Sequence, residues 1–334
     1  MFFRTKIGLH IGSDYLSLAV LKRKSQGFLV QACHVVRLPP NSIRHSPHES
    51  NILDPGEIKG HLKKALERTP KAGAISLSIP DLSSRMILIE VKNSIPADEE
   101  LNRIIKWNME QKFLSELGDS QISHQLIAQS DQSFRNPEAN GGPKTKHFFI
   151  LGSAVLKNVL SEYESLATSL LMTPKVINNC SFHLFNLYHD LIFDQEKDGN
   201  FLFLNMIDQY FTVMVFEQKI LRYIRTVGLR NQSEGSEAEN KELGGKNAVK
   251  IFNEIESSLQ YHYKDEQTRS KLRLFIAGPD LMPNFSAQLT EQFKMKVNLL
   301  NPSLLYGLDW GNGIENQEHA LLSPAIAAAA GGLN

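Results

Sequence analysis

Two short turns carry the residues whose types and spacing lend themselves to chemistry: Gly12-Ser13-Asp14, and Ile207-Asp208-Gln209 about 195 residues further on. Each stands between apolar runs and reads as the tip of a β-hairpin. Successive backbone N–H groups at such a tip form a concavity that can cradle phosphate. Other signals are thinner. His45-Ser46-Pro47-His48 offers two imidazoles with only Glu49 beside them to complete a metal set, so exposed histidines are the preferred reading. Cys180 and His183 lie in the apolar stretch 176–187, where core packing outweighs nucleophilic catalysis. Gly141-Gly142-Pro143-Lys144-Thr145-Lys146 follows a polar loop instead of a strand and opens no clear helix, so it reads as a surface loop. Gly311-Asn312-Gly313 lacks the third glycine of a dinucleotide fingerprint and reads as a turn. Trp107 is offset from the apolar face of Leu101, Ile104 and Ile105, which leaves a contact surface and core packing both open.

The elements that position these residues follow from periodicity. A hairpin is expected over 6–20 and a third strand over 27–38, after the polar turn Lys22-Arg23-Lys24-Ser25-Gln26. Asp54-Pro55-Gly56-Glu57 has the form of a capping box opening a helix whose apolar face is Ile58, Leu62, Ala65 and Leu66. Further helices are expected at 98–113, 155–171, 248–263 and 285–293, the last with Phe285, Leu289 and Phe293 on one face. Strands are expected at 74–79, 86–91, 122–127, 148–151, 201–206, 212–216, 220–227, 272–276 and 297–300. Of three polar stretches, 38–56 reads as a surface connection, and 130–146 and 230–247, poor in apolar residues, read as mobile. The mixture indicates an α/β protein with helices packed on sheets.

Composition narrows the function. A chain of 334 residues predicts about two domains. With 36 Lys+Arg against 36 Asp+Glu, nucleic acid is excluded as the main partner, because phosphate binding needs clustered cations. Two cysteines, Cys33 and Cys180, support neither a disulfide framework nor a zinc site. No apolar run approaches the roughly 20 residues that span a bilayer, and the first apolar run breaks at Gly12-Ser13-Asp14, unlike a signal peptide. The expectation is a soluble cytoplasmic protein.

The opening meander also recurs. Its second copy runs through 201–206, the turn at Ile207-Asp208-Gln209, 211–216, the turn Glu217-Gln218-Lys219, and 220–227. A duplicated meander followed each time by helices is how two homologous lobes would look, with each hairpin tip projecting into the cleft between them.

At these residues the chain resembles actin-like proteins, and more narrowly the PilM family of type IV pilus assembly. Ile7-Gly8-Leu9-His10-Ile11-Gly12-Ser13-Asp14 is similar to the family's first phosphate-binding hairpin. Ser76-Leu77-Ser78-Ile79-Pro80, Ile87-Leu88-Ile89-Glu90-Val91 and the helix around Trp107 follow in the family's order. Phe148-Phe149-Ile150-Leu151-Gly152-Ser153-Ala154 resembles the strand closing an inserted subdomain, and Ile255-Glu256-Ser257-Ser258-Leu259-Gln260-Tyr261 the helix before the adenosine motif. Phe275-Ile276-Ala277-Gly278-Pro279 resembles that motif itself, and the run from Ser323 to Leu333 the small-residue C-terminal helix. The likeness covers nearly the whole chain; no single motif is decisive, and the ordered set is fairly specific.

The departures bear on the cofactor. Actin-like ATPases carry an Asp two residues before the first-hairpin Gly, where this chain has His10. In the second hairpin the family expects Asp-x-Gly, and here stand Asn205-Met206-Ile207; Gly278 is followed by Pro279 where a second Gly is usual. His10 and Asn205 bring no negative charge to a Mg²⁺ shell. Ile207 fills the space a Gly leaves for phosphate, and Pro279 removes an N–H donor. Asp14 and Asp208 could face each other across the cleft and replace the lost acids; solvated turn residues are the preferred reading, since turns favour Asp. The resemblance therefore implies that Gly12, Ser13, Asp14, Asp208 and Gly278 line a degenerate nucleotide cleft, with weak ATP and Mg²⁺ binding or none, and no meaningful turnover.

The fold so implied is an α/β, actin-like (ribonuclease H-like, duplicated) one. Its first lobe comprises residues 1–80 and 172–195, an inserted small α/β subdomain 81–171, the second lobe 196–310, and a C-terminal segment 311–334 returns to the interlobe hinge. The function implied is that of a cytoplasmic adaptor at the inner membrane. It binds the cytoplasmic N-terminal tail of a PilN-like partner in a groove between the first lobe and its insertion. The alternatives are an ATP-binding switch that keeps the nucleotide site and, in another class, a small-molecule kinase of the same superfold, for which no catalytic acid motif is visible. A type II secretion counterpart would carry a transmembrane helix and a periplasmic domain, neither of which is seen here.

Overall fold

β1 (Thr5–Ile11), β2 (Tyr15–Arg23) and β3 (Phe28–Arg37) form the expected antiparallel meander, with Ile11 opposite Leu16 across the first turn. The computed structural model describes residues 5–67, 69, 73–130, 146–229, 237–263, 269, 271–278, 284–311 and 318–332. Both faces of the meander are covered, which is why its strands read as apolar runs. Leu16, Leu18 and Val20 of β2 enter one core, while Ala19 and Leu21 enter another. α1 (Pro55–Leu66) then leads to β4 (Ala74–Ile79), parallel to β1. Asp54 caps α1 by accepting from the Glu57 N–H at 2.9 Å. The Glu57 carboxylate accepts from Ser42 Oγ at 3.2 Å, so the capping box closes on one side only.

The insertion follows a short 3₁₀ turn, Asp81–Ser83. It consists of β5 (Arg85–Lys92), α2 (Asp98–Phe113), β6 (Ser120–Ser130) and β7 (His147–Leu156), the strands ordered β5-β7-β6. Leu101, Ile105 and Met109 of α2 pack on Ile87, Ile89 and Ile150. Trp107 lies on the opposite face of α2, 61% exposed. α3 (Lys157–Thr168) falls within the range 81–171, yet its Val159, Tyr163 and Leu166 pack with Ile58 and Leu62 of α1 in the first-lobe core. β8 (Thr173–Asn179) then joins the edge beyond β4 in parallel, and α4 (Cys180–Gln195) leads out of the lobe.

β9 (Phe201–Asp208), β10 (Tyr210–Glu217) and β11 (Ile220–Gly228) repeat the meander. α5 (Glu237–His262), β12 (Arg273–Ala277), α6 (Phe285–Phe293) and β13 (Lys296–Leu300) complete the lobe, with β12 parallel to β9 as β4 is to β1. α5 begins eleven residues before the expected start at 248. Its first turns, 237–247, contain three Glu and two Lys, which favour helix, and too few apolar residues to show a face. β14 (Leu308–Trp310) pairs with β3, so the end of the range 196–310 lies in the first-lobe sheet.

The sheet orders are β14-β3-β2-β1-β4-β8 and β11-β10-β9-β12-β13, a duplicated topology. α5 and α6 cover the outer face of the second sheet, where Phe285, Leu289 and Phe293 meet Leu202, Leu204 and Ile276. Between the sheets run α4 and the last helix, α7 (His319–Gly331). Leu184, Tyr188 and Ile192 of α4 pack on Phe201, Phe203 and Phe275 of the second lobe. Leu322, Ala325, Ile326 and Ala329 of α7 pack on the first, and Tyr188 Oη bonds Ser323 Oγ at 3.0 Å. No helix among the described residues is long and apolar enough to cross a membrane.

Candidate functional site

The two hairpin tips meet between the lobes. Asp208 ends β9, and its carboxylate accepts from the backbone N–H of Ser13 at 3.0 Å (Oδ2) and 3.3 Å (Oδ1). Oδ1 also accepts from the Gln209 N–H at 2.7 Å, and His45 Nε2 lies 3.2 Å from Oδ2. The Asp208 side chain is 1% exposed, so it is no solvated turn residue. Burial alone would raise its pKa. The close His45 ring, His10 and the Gln209 N–H outweigh that, and hold the carboxyl below the usual range. Gly12 makes room: a Cβ there would come 2.6 Å from the Tyr15 ring and 3.1 Å from Asp208 Oδ2. Tyr15 Oη in turn donates to the Ile207 carbonyl at 3.2 Å, a second tie between the turns.

The two positions where acids are expected are engaged inside the protein. His10 is fully buried; its Nδ1 lies 3.1 Å from both Ser78 O and Ser78 Oγ. Burial lowers its pKa to about 4, with Asp208 opposing and His45 adding, so the ring is neutral near pH 7. Asn205 donates from Nδ2 to Ser181 Oγ at 2.9 Å and to Asp81 Oδ2 at 3.3 Å, and its Oδ1 accepts from the Ile207 N–H at 3.1 Å. Asp81, on the 3₁₀ turn after β4, is fully buried. It also accepts from Thr212 Oγ1 at 2.7 Å, the Ser181 N–H at 3.1 Å and the Ser181 hydroxyl. Burial raises the Asp81 pKa, and these four donors act against it. A carboxamide at 205 can donate to this carboxylate; a second carboxylate could not.

Of the remaining sequence-selected residues, His45 and Asp14 border this centre and the others lie apart from it. Asp14 is exposed. Gly278 (φ +144°) sits where a Cβ would lie 2.6 Å from the Met206 carbonyl, so the chain after β12 packs onto β9. Pro279 and the stretch Gly141–Lys146 lie outside the described residues. Cys180 is buried, its thiol pushed far above the usual range by burial, and His183 Nε2 faces the Leu77 carbonyl at 3.2 Å. This is core packing, as expected. His45 and His48 part company. His48 faces Arg85, whose Nη2 lies 3.0 Å from Nε2, while the His45 side chain is only 2% exposed beside Asp208. Exposure is expected of both; the His45 side chain departs from it because it turns inward onto Asp208, while its loop stays at the surface. Among the described residues no group of three or more His, Cys, Asp or Glu side chains could hold a metal ion.

Mg-ATP in an actin-like cleft requires open hairpin amides and acids turned toward the metal. Here Ser13 N–H is bonded to Asp208, His10 and Asn205 are committed to Ser78 and Asp81, and Gly278 packs on Met206. As they stand, these side chains do not fit the phosphate groups.

The duplicated sheets, the shared helical layer and the paired hairpins define the actin-like fold. In particular the chain superposes on a chain of the PilM–PilN type IV pilus biogenesis complex with a TM-score of 0.74, at 13% identity over 98% of both chains. A Bacteroides thetaiotaomicron protein with an actin-like ATPase fold gives a TM-score of 0.49 at 9% identity, covering 90% of this chain and 91% of that one. The cytoplasmic domain of EpsL, an inner-membrane component of the Vibrio cholerae type II secretion system, gives 0.48 at 9% identity over 98% and 95%. No protein-family model matches the chain, and no curated protein matches it in sequence.

Proposed function

We propose that this chain is an adaptor of type IV pilus or related secretion assembly. It binds the cytoplasmic N-terminal tail of a PilN-like inner-membrane partner, is held at the membrane through that partner, and turns over no ATP. The observation that carries the reading is the end-to-end superposition on a chain of the PilM–PilN complex, insertion included. An extended tail is suited to a groove between the first lobe and the inserted sheet, because main-chain hydrogen bonds supply affinity and a few apolar pockets supply specificity. The engagement of His10, Asn205 and Asp208 within the protein supports a role without nucleotide.

Calorimetric titration tests both halves. A synthetic peptide of a PilN-type cytoplasmic tail is expected to bind saturably with one-site stoichiometry, and Mg-ATP to give no heat. Absence of peptide binding by folded protein overturns the adaptor reading. Stoichiometric Mg-ATP binding replaces it with the switch model, in which Gly12, Ser13, Asp14, Asp208 and Gly278 hold the nucleotide.

A further inference from the structure

We infer that Asp208 is the resident anion of the first hairpin: the carboxylate from the second lobe occupies the oxyanion cradle at Gly12-Ser13, bars it to phosphate groups, and its removal opens a site for a small tetrahedral oxyanion. Three features a phosphate cradle needs are all spent on this side chain. They are a backbone N–H pointing into the cleft, a glycine that admits close approach, and a cationic or donor side chain nearby. Ser13 N–H donates to both oxygens, Gly12 leaves the space that Oδ2 approaches, and His45 Nε2 stands 3.2 Å away. Gln209 N–H satisfies Oδ1 within the second turn. The other titratable groups beside this carboxylate are His10 on β1 and the Tyr15, Tyr163 and Tyr210 hydroxyls, and Asp14 adds a further negative charge near it. A phosphate group would have to displace Asp208 or lie against it, and like charges at contact distance repel strongly away from water. The same bond crosses between lobes, so the cradle that would respond to a nucleotide is instead a fixed clasp.

The test titrates inorganic phosphate, and separately Mg-ADP, into the wild-type protein and Asp208→Ala. Wild type is expected to bind neither. Asp208→Ala is expected to melt about 3–6 °C lower, from loss of the charge-assisted bonds. It is also expected to bind phosphate at least about tenfold more tightly than wild type, with partial recovery of melting temperature. Wild-type protein that binds phosphate as tightly as the variant overturns the inference. So does a variant that neither loses stability nor responds to phosphate. Should Asp208→Ala not fold, Asp208→Asn keeps the volume and one acceptor. The Ser13 amide proton is then the reporter: its NMR shift follows an acid titration in wild type and is flat in Asp208→Asn. A flat Ser13 titration in wild type sinks the proposal. The inference goes beyond the adaptor reading and stands on this geometry, so failure of the peptide titration leaves these results untouched.

Discussion

Two buried histidines make the fold acid-sensitive from about pH 6.5 downward, above the range where most ordinary carboxylates titrate. Burial lowers the pKa of His10 and of His183 to about 4, against Asp208 in the first case and the Leu77 carbonyl in the second. The folded state therefore favours the neutral rings. Their contribution is complete above the unfolded pKa of about 6.5 and is lost as pH falls toward 4. The groups facing His10 are Asp208, His45, His183 and Ser78; His45 and His183 push its pKa down, and Asp208 is the carboxylate that resists. Urea unfolding between pH 7 and 4.5 is expected to show a loss of roughly 2–3 kcal/mol for each ring. His183→Gln, which keeps a donor for Leu77, should remove about half of that slope. An unchanged slope in the variant would show that His183 is not held neutral by the fold. The residues of the centre were legible to different degrees. Both turns, and Asp208 with them, stood out from type and spacing. His45 did not, because it lies in a polar, Pro-containing stretch that reads as surface. Asp81 carried no signal at all: its role arises from Ser181, Asn205 and Thr212, which only the assembled lobes bring to it.

Among the elements, the contact of α7 with β1 is the tightest dependence of structure on side-chain size. A Cβ at Gly8 would stand 1.9 Å from the Ala325 carbonyl and 2.5 Å from the Ala329 amide nitrogen, both backbone atoms. Lys6 adds a bond from its ammonium to the Gly332 carbonyl at the helix end. Gly8→Val must lift α7 from the sheet, and a cost of about 3 kcal/mol or more is expected. His319, the first residue of α7, stacks on Trp310 with ring centroids 4.3 Å apart, so Trp310 emission in a Trp107→Phe background reports the displacement. Unchanged emission and stability would show that the helix tolerates the side chain. Periodicity made amphipathic elements such as α1, α2 and α6 legible. It failed for β8 and α4. α4 packs against α7, the first lobe and the second lobe at once, so apolar residues cover most of its circumference and only a narrow exposed stripe, Asn186, His189 and Asp190, is polar. The start of α5 failed for the opposite reason, having too few apolar residues to show a face.

At the scale of the molecule, the question is whether the two lobes behave as one body or two. The core containing Tyr188, Phe203, Phe275 and Leu321 runs through the helical layer from one sheet to the other, and the Asp81 and Asp208 clusters tie the lobes beside it. A shared core of this kind couples the lobes, and a single calorimetric transition is expected of the wild-type protein. Asn205→Asp tests the junction. It places an acid where the resemblance to actin-like proteins predicts one, yet here the new carboxylate would face the fully buried Asp81. A buried pair of like charges without a cation costs about 3 kcal/mol or more, less at low pH where one of the two takes up a proton. The expected outcome is a lower melting temperature at pH 7, a smaller deficit near pH 5, and a transition that broadens or splits as the lobes uncouple. A variant as stable as wild type at pH 7 would show instead that the junction accommodates two acids. The interlobe cluster would then have to be redrawn with Mg²⁺, or another cation, between Asp81 and position 205.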